Sequence, residues 1–380
     1  MLSAKTVHPR DLSAAEAGAW RAIAAREPAF ASPLLGPDFA AAVGAVREDA
    51  RIAVLSTNGS PVAFLPFHQR PGGFARPIGA PLSDYQALVT DGFSGVDGAE
   101  ALTALGLSAF RFNGLIDPHG AFARVVVQDK PAWVIELDRP VEDYLEAVRA
   151  ASPKRLKNYR RLSSKMDREI GETRVVAPDH SQTAFDALLS WKRDQFHRTG
   201  GHDVLRPDWT RQLLQSLFDQ RAGAFQGLMI CLYAGDRLVA GHFGVTLNGI
   251  YHPWIASADP ELSAYSPGQA FLWKAIGEMP ALGLHRYDLG PSHDHYKRHY
   301  ALSQVMVGEG LAAAKTPRGR AADAREKVWT LAGAGRGTVL GRLRNRLDAI
   351  ATVELSTAGR VAGVVEAFAA QTRRRTVEEV

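Results

Sequence analysis

Apolar positions along this chain switch repeatedly between a spacing of about 3.6 residues and a spacing of 2, the two signatures of helix and strand. In the first block, Asp11 to Glu16 caps a predicted helix running to Arg26, and Gly36-Pro37 opens another. Strand-like runs follow at 51–55 and 61–67, and Asn58-Gly59 between them predicts a tight hairpin. Residues 72–84, rich in Gly and Pro, read as a loop, and 109–113 and 132–137 as further strands. The second block opens with a short helix at 141–148. Ser152 as N-cap, Pro153 at the first helical position and Gly171 as the stop then predict a longer one. Leu156, Tyr159, Leu162, Met166 and Ile170 form its apolar stripe, and seven Lys and Arg crowd its other faces. A strand at 173–177, helices at 182–198 and 207–220, and strands at 227–233, 237–247 and 250–256 come next. The turns around Gly235 and at Asn248-Gly249 favour tight hairpins. A loop at 263–268, a helix at 269–279 and a strand at 286–289 close the block. Helices, hairpin strands and a late strand thus recur in one order. The pattern predicts an α/β fold of two related domains, 1–139 and 140–314, each a mixed sheet flanked by helices, with a helical extension over 315–380.

Composition and charge change this picture little in the body and much at the end. An apolar fraction of 46% over 380 residues supports packed cores and excludes a disordered chain. The lone cysteine, Cys231, sits in an apolar run and reads as a buried strand thiol, which fits a reducing compartment. No apolar run approaches the length that spans a bilayer, and the N-terminal residues lack a signal-peptide pattern, so a cytoplasmic location is expected. The net charge of +5 is uneven: residues 315–380 carry 13 Lys and Arg against 7 Asp and Glu, and the remaining 314 residues carry 32 against 33. A basic extension on a neutral body suggests an anionic partner or a peripheral membrane contact. Arg342, Arg344 and Arg346 are its candidate ligands, because guanidinium forks match phosphate. Opposed to this is an apolar stripe of Leu340, Leu343, Leu347 and Ile350, which the arginines would only solvate.

Two stretches carry candidate chemistry. Ser266, Gly268 and Gln269 stand at a predicted strand-to-helix junction, where free backbone N–H groups suit a pyrophosphate. Residues 288–300 gather Asp288, His293, Asp294, His295, Tyr296, Lys297 and His299 after a strand ending in Gly-Pro. No cysteine joins these histidines, so acid–base and phosphate-contacting work is expected of them rather than a metal. The first block holds no comparable cluster and reads as a degenerate or substrate-shaping half.

The basic helix from Ser152 to Arg161, the segment from Trp191 to Gly200, the run from Gly235 to Gly241 leading to Ser266-Pro267-Gly268, and Tyr287 to Gly290 with Tyr296-Lys297 together resemble the FemAB-like branch of the GNAT acetyltransferases. That branch includes the CelD-type proteins of bacterial exopolysaccharide synthesis and holdfast-modifying acetyltransferases. The resemblance covers about 152–300. It implies a pair of GNAT domains and an acyl-CoA or aminoacyl donor, with acetyl-CoA as co-substrate. Ser-Pro-Gly stands where such enzymes usually carry a loop of several glycines. It further implies N-acylation of an amino sugar in a polysaccharide or its lipid-linked precursor, and control by cyclic di-GMP.

Amine acylation needs an acceptor for the amine proton and stabilisation of a tetrahedral oxyanion. Asp288, Asp294 or His293 would take the proton, Lys297 would meet the oxyanion, and Tyr296 would protonate the leaving thiolate. Two other readings stay open. One is a transferase using charged tRNA, although the sustained heptads of a tRNA-contacting arm are missing. The other is a cyclic di-GMP-responsive binding protein with a decayed acyltransferase domain.

Overall fold

The computed structural model describes residues 2–93, 95–199, 201–291, 296–333 and 338–365. The chain folds into two compact units, each discontinuous in sequence. The first comprises Met1–Lys130, Phe196–Leu213 and Val307–Val380, and the second Pro131–Gln195 and Leu214–Met306. This differs from the contiguous stretches 1–139, 140–314 and 315–380 expected from the sequence, and the reason lies in the sheets.

The elements run in the order β1 (Leu2–Val7), α1 (Ala14–Ala24), α2 (Pro37–Gly44), β2 (Ala50–Thr57), β3 (Ser60–Arg70), β4 (Phe74–Pro77), β5 (Val89–Thr90), α3 (Gly98–Ala104), β6 (Ala109–Leu115) and β7 (Val126–Glu136). Then come α4 (Val141–Ala151), α5 (Pro153–Glu169), β8 (Thr173–Val176), α6 (Gln182–Thr199), α7 (Asp208–Asp219), β9 (Gln226–Ala234), β10 (Arg237–Leu247), β11 (Ile250–Ala258), α8 (Pro267–Glu278), β12 (Arg286–Pro291), β13 (Ser303–Ala313), α9 (Pro317–Leu331) and α10 (Val339–Val353).

In the first unit the strand order is β1-β2-β3-β4-β6-β13, with β5 beside β3. Neighbours are antiparallel except β4 and β6, which are parallel over only Phe74↔Ala109 and Ala75↔Phe110. The second unit repeats the plan as β8-β9-β10-β11-β12-β7. Its single parallel pair, β11 with β12, also has only two register partners, Ile250↔Arg286 and Tyr251↔Tyr287. Two helices follow the first strand of each sheet, and one helix, α3 or α8, lies between the strands of the parallel pair. The expected two related halves are therefore present. Each sheet, however, takes its sixth strand from outside the expected stretch: β13 adds to β6, and β7 adds to β12.

Local chemistry explains the hairpins. Asn58 and Gly59 have φ of 53° and 80°, and Asn248 and Gly249 have φ of 49° and 75°. Both are the doubly left-handed turns that match strand twist. The second unit's core joins α4, α5 and α8 to its sheet through Val148, Leu156, Met166, Phe271, Ile276 and Tyr287, all nearly excluded from water.

Residues beyond 315 do not form a loose extension as far as they are described. Thr316 and Thr338 cap α9 and α10 through Gly319 and Gly341 N–H. Arg76 pairs with Asp348 at 2.9 Å, Trp209 Nε1 donates to the Val353 carbonyl at 3.1 Å, and buried Glu354 meets both Arg206 (2.5 Å) and His202 (3.3 Å). Among the described residues no helix is long and apolar enough to cross a membrane.

Candidate functional site

The second unit's parallel strands part almost at once. Their register ends at Tyr251↔Tyr287, yet β11 continues to Ala258 and β12 to Pro291. Parting exposes main-chain N–H and C=O groups that a sheet would otherwise pair, and an extended ligand rich in amides can take their place. A bulge deepens the opening. Between Phe243↔Ile255 and Gly244↔Pro253 the register slips by one residue, and Trp254 falls between the two pairs. Gly244 is required there, because a Cβ would lie 2.1 Å from the His252 carbonyl oxygen.

α8 starts at the same opening. Ser266 precedes it with φ 52° and ψ 54° and makes no side-chain cap, so the helix start is not closed by its own side chain. A Cβ on Gly268 would meet nothing within 4 Å. The equivalent helix of the first unit differs: Asp97 caps α3 by accepting from Glu100 N–H, which puts a carboxylate where an anion would sit. Its strand β4 has only four residues. The first unit thus lacks the uncapped helix start, and its β4 ends two residues after the last register pair.

Beside α8 lies a cavity of about 200 Å³, lined by Arg160, Ser163 and Ser164 of α5 and by Gln269, Trp273 and Lys274 of α8. The basic helix and the Ser-Pro-Gly junction, separate in sequence, meet here. Gln269 Oε1 is buried with no hydrogen-bond partner among the described residues, an acceptor that a ligand donor would satisfy. Lys274 Nζ donates to the Thr173 carbonyl at 2.9 Å.

The floor of the opening is polar and dry. Asp288 is 3% exposed, accepts from Gly290 N–H at 2.9 Å, and lies 3.7 Å from Nδ1 of fully buried His252. His242 Nδ1 and the Tyr287 hydroxyl are 2.6 Å apart, with Phe271 packed on the imidazole. Burial lowers the His242 pKa to about 3, and the positive charges of Lys297 and Lys192 add to the effect, so this ring is neutral. Burial also raises Tyr287 and Tyr251 well above the ordinary tyrosine value. Lys192, on α6, reaches the Ala256 carbonyl of β11 at 3.5 Å.

The expected site residues divide as follows. Asp288, Ser266, Gly268 and Gln269 lie around the opening. Lys297 donates to the Leu289 carbonyl at 2.5 Å and so braces β12 as well as charging its surroundings. Tyr296 is half-buried against the same core. His293 and Asp294 lie outside the described residues. Ser152 holds the N-cap position but makes no cap bond, because its Oγ lies 3.0 Å from His299 Nδ1. Of the basic trio, Arg344 pairs with Glu326 and lies over the Trp329 ring, Arg342 is exposed on α10, and Arg346 is half-buried. Sequence reading missed His242 and His252, which it counted only as strand positions, and held Lys192 only as part of the Trp191 to Gly200 segment. A polar ring within an apolar strand run was the available signal.

Residues 153–298 match the family model described as an acetyltransferase (GNAT) domain. The chain carries a GNAT-type acyltransferase domain. The match spans the parted strands, α8 and the cavity. No curated protein matches the chain. Among solved structures it is similar to a tandem GNAT protein from the clavulanic acid biosynthesis pathway, at 12% identity and a TM-score of 0.47, covering 83% of this chain and 99% of that one. It is also similar to FemX, at 10% identity and a TM-score of 0.43, covering 69% and 87%.

Proposed function

We propose that the second unit is an N-acyltransferase that takes its acyl group from acetyl-CoA or a related thioester and passes it to an amine. The observation that carries this reading is the opening between β11 and β12 beneath the uncapped start of α8. Main-chain groups of the parted strands suit the amides of a pantetheine arm, and the helix start with Arg160 suits its phosphates. The bound thioester supplies the acyl group. The Asp288 carboxylate, 3.7 Å from His252 Nδ1, favours a protonated imidazole by its charge, and this pair takes the amine proton. Backbone N–H groups at the Trp254 bulge meet the developing oxyanion, and Tyr296 protonates the leaving thiolate. Lys297 acts on the reaction through β12.

The acceptor class, an amino sugar of an exopolysaccharide or its lipid-linked precursor, rests on the sequence resemblance, as does control by cyclic di-GMP, and a cytoplasmic location rests on the lone buried cysteine and the sequence pattern. The test is thiol release from acetyl-CoA with glucosamine-type acceptors, run beside transfer from charged tRNA. Acceptor-dependent thiol release supports the reading. Transfer from charged tRNA alone would replace it with the FemX-type alternative.

A further inference from the structure

The first unit contains a cavity of about 590 Å³ whose lining includes Arg70, Arg76, Arg318, Arg325 and Arg360, with Phe74 among them and no acidic side chain. Five guanidiniums around one space repel each other unless something pays for their charge. Arg70 registers that repulsion. Its pKa falls to about 10, first through burial and further through Arg47, Arg360 and Arg76, against the pull of Asp49.

The available counter-charge is small and already committed. Asp49 serves Arg47 at 2.8 Å and Arg70 at 3.1 Å, and Asp348 serves Arg76 at 2.9 Å. Arg318, Arg325 and Arg360 make no salt bridge with a described residue, and Arg360 Nε donates only to the Glu354 carbonyl at 3.0 Å. The five lining guanidiniums thus share two carboxylates, of which Asp49 also serves Arg47 and Asp348 also serves Arg111.

The cluster is also built rather than accidental. Arg70 and Arg76 keep only 10% and 12% of their side-chain surface and are fixed by Asp49, Asp348, Thr352 Oγ1 and the Ala351 carbonyl. Arg76 and Arg325 each hold a guanidinium 5.5 Å from the centre of the Phe74 ring. Strands β3 and β4, helix α9 and the residues after α10 contribute from four separate places in the chain.

From this geometry we infer a second binding site, in the first unit, for a small-molecule anion bearing two or more phosphate charges. The rigid pair Arg70 and Arg76 forms its floor and the exposed Arg318 and Arg325 close over it. Planar guanidinium forks match phosphate oxygens in pairs, and a space of this size admits a ligand of nucleotide dimensions. The site differs from the Arg342, Arg344 and Arg346 set expected from sequence. It is also independent of the acyl-donor site, since none of its residues belongs to the second unit.

The experiment is calorimetry on the full chain with three probes: inorganic pyrophosphate, a nucleoside diphosphate and a cyclic dinucleotide, each at low and high salt. Binding of at least one probe, weakened by salt, is expected, and the three arms identify the source of the phosphates. Arg318→Ala with Arg325→Ala should weaken that binding by about tenfold or more per arginine. Neither residue makes a side-chain hydrogen bond or ion pair with a described residue, and Arg325 rests only on the Phe74 ring, so the melting temperature should hold, and coenzyme A affinity should not move. No binding by any probe, or wild-type binding in the Arg318/Arg325 double variant, overturns the inference.

Discussion

Gly268→Val separates an anion-binding helix start from an ordinary turn. The position is the second residue of α8, and an added Cβ would meet no heavy atom within 4 Å. Folding should therefore be unharmed; valine even gains a few tenths of a kcal/mol over glycine in helix propensity. The open space is where the donor phosphates would approach, and two methyl groups there would push them off the backbone N–H groups. A hydrogen bond to a charged group contributes about 1.5–3 kcal/mol, so loss of one contact weakens donor binding by about thirtyfold. Calorimetry with coenzyme A measures this, with urea unfolding as the check on stability. Gly277→Val, also with nothing within 4 Å but at the far end of α8, is the control and should bind as wild type. A folded Gly268→Val variant with wild-type affinity would refute the assignment of the α8 start to the donor.

Three further outcomes are expected. Gly244→Ala, whose methyl would fall 2.1 Å from the His252 carbonyl oxygen, should cost about 3 kcal/mol in urea unfolding and impair donor binding by flattening the bulge; unchanged stability would show that the bulge tolerates a side chain. Asp288→Asn should lower kcat by about a hundredfold or more with little change in donor Kd, because it leaves the bond to Gly290 N–H possible but removes the charge that stabilises a protonated imidazole; wild-type turnover would remove Asp288 from the proton path. Stability should fall as pH drops below about 6.5, because buried His242 and His68 have folded pKa values lowered to about 3 and about 4 while the unfolded chain takes up protons normally. At pH 5 each contributes a loss of about 2 kcal/mol relative to neutral pH, and His242→Gln should shrink the difference in urea midpoint between pH 7.5 and pH 5; an unaltered difference would count against a neutral, buried His242.

Elements were legible because their causes are local. Asn58-Gly59 and Asn248-Gly249 dictate hairpins through left-handed φ, Pro153 starts α5, and the apolar stripe of Leu156, Tyr159 and Met166 shows which face α5 buries. The repeat of helix, hairpin and late strand was visible for the same reason. The Ser-Pro-Gly junction and Asp288 also announced themselves, by a break before a helix and by a polar residue at a strand's end. What only the tertiary structure decided was pairing at a distance. Nothing in β13 or β7 says which edge each will join, since a strand's apolar pattern specifies a buried face and not a neighbour. The domain division therefore crosses the expected boundaries. The parting of β11 from β12, the slip at Trp254, and the meeting of Arg160 with Gln269 depend on how far two separated strands and two separated helices run together. The same holds for Arg70, Arg76, Arg318, Arg325 and Arg360: their positive charge was countable in the sequence, but only folding brings β3, β4, α9 and the segment after α10 around one space.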